Sequence, residues 1–157
     1  MKLLKLTAIL AVLSVFVFTI VSCEKESDKK KDNLFIKNGI VMSGANENPA
    51  VTTSASGIFD VWYDKKTHIL NYVVTWQGLS SNPTGFHIHG TAPAGFNAPV
   101  MQNFVLTGLK QSGTYSGNIL IDGVKFKETD LFAGLYYINM HTMANGSGEI
   151  RGQIKFD

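Results

Sequence analysis

Apolar and polar residues alternate along the chain from Leu34 onward, and Gly, Asn, Pro and Ser clusters separate the alternating runs. Runs of this kind, rich in Val, Ile, Thr, Tyr, Phe and Trp, are typical of half-buried β-strands. The pattern predicts strands near residues 34–43, 56–64, 67–77, 84–90, 100–107, 114–121, 134–142 and 148–156. We therefore predict an all-β fold, an antiparallel Greek-key sandwich or barrel of about eight strands, with at most one short helix near residues 126–133.

The N-terminus follows a different pattern. Two lysines precede an uncharged, mostly apolar run from Leu6 to Val21, which ends in Ile20-Val21-Ser22-Cys23. This run is shorter than the roughly 20 residues of a membrane-spanning helix and suits a secretory signal. Its end resembles the bacterial lipobox, where cleavage precedes a cysteine that is then lipidated. Cys23 is the only cysteine in the chain, and lipidation would account for it; an ordinary signal peptide with an incidental cysteine is the alternative.

These features divide the chain into three parts. Residues 1–22 are predicted to be a lipoprotein signal peptide, residues 23–33 a lipidated cysteine with a tether, and residues 34–157 a β domain. Every tether residue from Glu24 to Asp32 except Ser27 is charged, so the tether cannot form a core. The predicted location is the bacterial cell envelope, with a lipid anchor at Cys23 in the outer membrane or at the cell surface.

The charge of the chain argues against a nucleic-acid partner. The chain has 14 basic and 12 acidic residues, and loss of Lys2 and Lys5 with the signal would leave 12 of each. A domain of near-zero charge lacks the basic footprint of a nucleic-acid-binding protein. The acidic residues are also scattered without an evident acid–base pair, so no catalytic residue is assigned and the sequence leans against an enzyme.

Two of the four histidines, His87 and His89, occupy alternate positions of one predicted strand. Because side chains alternate across a strand, Phe86 and Ile88 should face the core and both imidazoles the outer face. The same parity makes His141 project outward from a later strand. If the two strands are neighbours, the three imidazoles could share one copper or zinc ion. A purely structural cluster that hydrogen-bonds the crossing loops is the alternative.

Three further polar residues are expected on this outer face: Asn139, Glu149 and Arg151. They are candidates to support the metal ligands, although Glu149 and Arg151 could instead form a surface ion pair of little energetic consequence. The fourth histidine, His68, lies beside a lysine-rich turn and is predicted to be solvated.

Three ordered motifs resemble the CHRD domain, a module named after chordin and widespread in bacterial exported proteins. The motifs are residues 44–49 (GANENP), residues 87–93 (HIHGTAP), and the pair formed by residues 135–142 (LYYINMHT) and 148–154 (GEIRGQI). The resemblance covers about residues 34–156 and implies an all-β secreted module. Together with the lipobox and the tether, it favours a lipid-anchored, non-enzymatic module that binds an unidentified protein, an extracellular ligand or a metal.

A looser resemblance concerns the segment Gly85-Phe86-His87-Ile88-His89, which is similar to the copper-ligand strand of copper–zinc superoxide dismutase. That resemblance implies that His87, His89 and His141 correspond to three of the four copper histidines. However, no histidine lies between His89 and His141, and a single cysteine excludes the internal disulfide of those enzymes. A copper-dependent, superoxide-handling enzyme is therefore kept only as an alternative.

Overall fold

The computed structural model describes residues 33–156, which form an antiparallel β domain. Its elements are β1 (Leu34–Ser43), a 3-10 turn (Gly44–Asn46), β2 (Ser56–Asp64), β3 (Ile69–Gln77), β4 (Gly85–His89), β5 (Val100–Asn103), β6 (Gly113–Leu120), α1 (Glu128–Phe132), β7 (Tyr137–His141) and β8 (Ile150–Gln153). The predicted all-β class with one short helix is confirmed. The predicted signal peptide, Cys23 and nearly all of the tether lie outside the described residues. Within residues 33–156, no helix is long and apolar enough to cross a membrane.

All eight strands belong to one sheet, in the order β5-β4-β7-β8-β1-β2-β3-β6. This sheet curls, because side chains from distant positions in the strand order meet in one core. Phe86 on β4 packs against Trp76 on β3 and Tyr115 on β6, with ring centroids 5.9 and 5.5 Å apart. The predicted sandwich or barrel thus takes the form of one curled sheet around an apolar interior.

The even-numbered side chains of β4 and β7 fill this interior, as the alternation predicts. Phe86, Ile88, Ile138 and Met140 are each 0% exposed. Burial of one such side chain contributes about 1.5–3 kcal/mol relative to leaving it exposed. A slip of one residue would reverse the faces of the whole strand, so this apolar row also fixes the odd-numbered side chains on the opposite face.

The register of β4 and β7 brings the predicted site residues together. The two strands are adjacent and antiparallel, with His87 opposite Asn139 and Gly85 opposite His141. On the other side of β7, Asn139 lies opposite Arg151 of β8. The neighbouring strands that the histidine prediction required are therefore present.

Residues 91–99 form a loop over the outer face of β4, β7 and β8, which we call the covering loop. Gln153 on β8 donates to the covering-loop carbonyl of Ala92 at 3.0 Å. The 3-10 turn closes over the same face, where Asn46 Nδ2 donates to the carbonyl of Arg151 at 3.0 Å. The outer face is consequently a second, polar interior rather than an open surface.

Five strands, β3, β4, β5, β7 and β8, are shorter than predicted, and β5 and β8 lose the most at their C-terminal ends. The chain leaves β5 after Asn103 and then turns, with the Leu109 N–H donating to the carbonyl of Leu106 at 3.0 Å. At the C-terminus, β8 ends at Gln153. Apolar residues continue past the C-terminal ends of β5 and β8. An apolar pattern indicates burial, whereas a strand is defined by hydrogen bonds to a neighbouring strand.

Candidate metal centre

The three predicted histidines form one cluster on the covered face. Ring centroids are 4.7 Å apart for His87 and His141, 5.5 Å for His87 and His89, and 6.2 Å for His89 and His141. One ring nitrogen of each residue lies within 4.8 Å of the corresponding nitrogens of the other two. His89 is only 8% exposed, whereas His87 and His141 are partly exposed, so the cluster opens toward solvent on one side.

Gly85, the first residue of β4, leaves space for the rings of His87 and His141. A Cβ atom at Gly85 would lie 2.8 Å from Cε1 of His87 and 3.1 Å from Cδ2 of His141. Any larger residue at this position would press on both imidazoles.

Two backbone carbonyls fix the protonation of two rings. His89 Nδ1 is 2.8 Å from the carbonyl oxygen of Ala98, and His141 Nδ1 is 2.9 Å from that of Gly146. A carbonyl oxygen can only accept, so each Nδ1 carries the proton and each neutral ring keeps its lone pair on Nε2. These are the orientations in which an imidazole can bind a metal through Nε2.

The cluster therefore holds more hydrogen-bond acceptors than donors. His89 Nε2 is buried and has no hydrogen-bond partner among the described residues. His141 Nε2 faces both His87 Nδ1 at 3.1 Å and Asn139 Oδ1 at 3.0 Å. In the neutral state, the only proton available to these atoms is one on His87 Nδ1, so the arrangement is suited to a cation.

Burial also keeps the imidazoles of His87 and His89 neutral. Desolvation, followed by the nearby rings of His141 and His89, lowers the pKa of His87 to about 4. Desolvation likewise lowers the pKa of His89, against the opposing effect of its hydrogen bond to the carbonyl of Ala98. Both residues are thus in the uncharged form at neutral pH, which is the form that binds metals.

The dimensions of the cluster fit a transition-metal ion. Two ligands of a tetrahedral ion with metal–nitrogen bonds of about 2.0–2.1 Å are separated by about 3.3–3.4 Å. The 3.1 Å separation of His87 Nδ1 and His141 Nε2 is close to this value. The upper limit of 4.8 Å within the cluster exceeds it by about 1.4 Å, so at least one ring has to shift to bring all three nitrogens onto one ion.

Arg151 supports the cluster by stacking and not by charge pairing. The Tyr137 ring stacks on His89 with centroids 4.7 Å apart and planes 2° from parallel. The guanidinium carbon of Arg151 lies 3.3 Å from the Tyr137 centroid on that stack. Its guanidinium also donates to the carbonyl of Phe96 at 2.8 Å. Arg151 thereby joins the covering loop to the histidine layer.

Glu149 accepts hydrogen bonds from residues outside the histidine cluster. It is 0% exposed and accepts hydrogen bonds from Thr53, Ser80 and Thr142 at 2.7, 2.6 and 2.6 Å. Burial opposes its ionisation, but these hydrogen bonds hold the pKa of Glu149 below its usual value. The alternative of a surface ion pair with Arg151 is wrong, because both side chains are buried and no ion pair joins them within residues 33–156.

The predictions for His68 and for Asn139 can be compared directly with the structure. His68 is exposed at the β2–β3 hairpin, as predicted, and lies 3.2 Å from the hydroxyl of Tyr63. Asn139 is 2% exposed and contacts His141, so it is placed where it can support the ligands.

Sequence reasoning missed Glu47, which lies directly after the 3-10 turn and is 7% exposed. Burial raises the pKa of Glu47 to about 7, against the lowering effects of Arg151 and of a hydrogen bond from Asn139. Its Oε1 is buried without a hydrogen-bond partner in the described part of the chain. The one sequence signal for this residue was its place in the first CHRD-like motif.

Fold and site together define the class: a small antiparallel β module with three histidines converging beneath a covering loop. The family model of the CHRD domain matches residues 39–154, and the chain belongs to this family. The comparison with curated proteins and the comparison with solved structures gave no match.

Proposed function

We propose that this chain is a membrane-anchored CHRD module that binds one copper or zinc ion through His87, His89 and His141. The main support is the unpartnered Nε2 of His89, which is buried beside two further imidazoles. An unsatisfied buried acceptor costs about 1–3 kcal/mol. A bound cation would remove that cost and would use all three lone pairs.

The ligand set favours copper or zinc over other metals. Imidazole nitrogens suit zinc and copper, whereas calcium and magnesium require mainly oxygen ligands. Three histidines also leave a coordination position for a further ligand, either another side chain or a small molecule, as in catalytic zinc sites. The partial exposure of His87 and His141 would let a small molecule reach that position.

Calorimetric titration of the purified full chain tests the metal site. After removal of metals with a chelator, we expect one zinc or copper(II) ion per chain at pH 7.5. The double variant His87→Ala/His89→Ala and the variant His141→Ala should lose stoichiometric binding. The control variant His68→Asn removes the fourth imidazole at a position with φ of 57°, which Asn tolerates, and should bind as the wild type does.

The same titration separates the proposal from its structural alternative. The contact between His87 and His141 would also suit a hydrogen-bonded cluster without a metal. Absence of stoichiometric binding to the wild type, or binding unchanged in the double variant, would reject the metal site in favour of that cluster.

The lipid anchor at Cys23 is supported by the lipobox-like sequence and the charged tether. It would hold the module at the outer membrane or cell surface, where the protein partner or extracellular ligand would meet it. Phe96, 63% exposed on the covering loop, is available for such a contact. We expect labelled palmitate to be incorporated into the wild type, and processing to be blocked by globomycin. Labelling that persists in Cys23→Ala would contradict the anchor.

A copper-dependent, superoxide-handling enzyme is the second candidate, favoured by the open side of the cluster at His87 and His141. Copper-loaded protein should then dismutate superoxide faster than the same amount of free copper. Equal rates would leave a non-enzymatic metal-binding module.

A further inference from the structure

We infer that Asn139 supplies a fourth, oxygen ligand to the metal centre and that Glu47 orients the Asn139 amide for this task. The inference rests on the proposed metal site but concerns residues outside the three histidines. It assigns a role to Glu47, the one buried carboxyl group among residues 33–156 that lacks a partner for an oxygen atom.

Asn139 lies at the centre of the covered face. It is 2% exposed, opposite His87 on β4 and opposite Arg151 on β8. Its Oδ1 is 3.0 Å from His141 Nε2, and its side chain also interacts with the ring of His89. One amide oxygen is thus placed among the nitrogens that would bind the ion.

Glu47 determines which end of the amide faces the histidines. An asparagine presents an acceptor oxygen at one end and a donor NH2 group at the other. The Asn139 side chain lies beside the Glu47 carboxyl, and its interaction with that carboxyl lowers the pKa of Glu47. Once Glu47 is ionised, its carboxylate can only accept, so the NH2 group of Asn139 faces Glu47 and Oδ1 faces His141.

Two local features hold Glu47 in this place. Asn46, the preceding residue, donates to the carbonyl of Arg151 at 3.0 Å and fixes the 3-10 turn on β8. On the other side, the Glu47 carboxyl lies against the backbone of Gly148, where a Cβ atom would collide with it. The φ of +132° at Gly148 also favours glycine at this position.

The contact between Asn139 Oδ1 and His141 Nε2 is best explained by a shared cation. The proton of neutral His141 is on Nδ1, which donates to Gly146, so two lone pairs face each other at 3.0 Å. That separation approaches the distance of about 3.3–3.4 Å between two ligands of one tetrahedral ion. An ion between them would convert a repulsive contact into two metal–ligand bonds.

Charge balance supports the same arrangement. Three neutral imidazoles and a neutral amide leave the full positive charge of the ion uncompensated. The Glu47 carboxyl is the nearby anionic group, behind Asn139, and its Oε1 has no partner among residues 33–156. A cation at the cluster would stabilise this buried carboxylate, and Glu47 would stabilise the cation in return.

Zinc affinity and copper(II) spectra of Asn139 variants test the inference on the purified full chain at pH 8. The variant Asn139→Leu keeps the side-chain size but loses the oxygen, and we expect its zinc Kd to rise about 10- to 100-fold. In 17O-enriched water, its copper(II) resonance should broaden more than that of the wild type, because water replaces the amide oxygen. Asn71→Leu on β3, outside the cluster, is the matched control and should change neither readout.

An exchange of charges tests the role of Glu47. In Glu47→Gln/Asn139→Asp, the new carboxylate can accept from the new amide and still offer an oxygen to the ion. We expect this double variant to bind zinc within about tenfold of the wild type or more tightly, unlike Asn139→Leu.

The outcomes distinguish this inference from the proposed metal site. If the wild type binds no metal, the three-histidine proposal fails. If the wild type binds metal and folded Asn139→Leu binds it with the same Kd and the same spectrum, the fourth ligand is overturned while the histidine site stands. Should Asn139→Leu fail to fold, weak binding by the folded double variant would overturn the inference instead.

Discussion

At the scale of single residues, hydrogen bonds to backbone carbonyls determine the chemistry of the cluster. Ala98 and Gly146 each accept the Nδ1 proton of a histidine and leave Nε2 free. Partners of this kind orient metal-binding histidines and raise their basicity. The sequence places the imidazoles by strand parity, but it cannot place these carbonyls, because their positions depend on the paths of two irregular loops.

The raised pKa of Glu47 predicts how the stability of the metal-free protein depends on pH. This pKa is about 7 in the folded chain, against 4.5 for a glutamate in the unfolded chain. Between these values the unfolded chain ionises while the folded chain keeps the proton, so Glu47 makes the domain less stable as pH rises. Glu47→Gln does not ionise. We expect its stability relative to the wild type to increase by up to about 3 kcal/mol between pH 4.5 and pH 8.

Urea unfolding in the presence of a chelator, at several pH values, measures this difference. Glu128→Gln is a useful control of opposite sign, because hydrogen bonds from Tyr63 and Lys65, against the effect of burial, hold the pKa of Glu128 below its usual value. Its stability relative to the wild type should fall as pH rises. A difference between Glu47→Gln and the wild type that stays constant with pH would show that Glu47 ionises normally in the folded domain.

At the scale of elements, the facing of the side chains on β4 and β7 was the part of the site that sequence could predict, whereas the pairing of the two strands was only a condition of that prediction and came from the structure. The apolar row of Phe86, Ile88 and Met140 specified the faces, and so it specified that the histidines share one side. Alternation could not reveal that this side is covered, because the covering loop and the 3-10 turn carry no periodic pattern. The same omission made Arg151 resemble a surface residue, although it is 1% exposed.

Gly85 allows a test of the β4–β7 geometry. A methyl group there would lie 2.8 Å from the ring of His87 and 3.1 Å from that of His141, so both rings must shift. We expect Gly85→Ala to weaken zinc binding about tenfold or more and to reduce stability by about 1–3 kcal/mol through overpacking. Calorimetry and urea unfolding measure the two effects.

The control for this substitution is Gly146→Ala, where an added methyl group meets nothing within 4 Å. It lies in the loop that holds His141 but keeps the backbone carbonyl that His141 requires, so its zinc affinity should match that of the wild type. Equal affinities for Gly85→Ala and the wild type would mean that the rings do not need their present positions to bind the ion.

At the scale of the whole molecule, one curled sheet separates an apolar interior from a polar, covered site. The all-β class followed from the sequence because eight alternating runs leave little chain for helices. The single continuous sheet did not follow, since alternation is equally compatible with two packed sheets. What closes the interior is contact between strands far apart in the sheet, such as Phe86 of β4 against Tyr115 of β6.

Because the ligands come from two strands of this one sheet, metal binding and global folding should be linked. The site requires β4 beside β7, so an unfolded chain lacks it. A ligand that binds only the folded state stabilises that state by about 2.7 kcal/mol when its free concentration is 100 times Kd. We therefore expect zinc at that excess to raise the free energy of urea unfolding by this amount.

The size of this effect distinguishes a built site from loosely attached ions. The variant His87→Ala/His89→Ala should unfold at the same urea concentration with and without zinc, since its remaining histidines cannot surround an ion. Zinc that stabilised the variant as much as the wild type would be bound elsewhere on the domain. Stabilisation confined to the wild type would show that the histidine cluster, positioned by the curled sheet, holds the ion in the folded state alone.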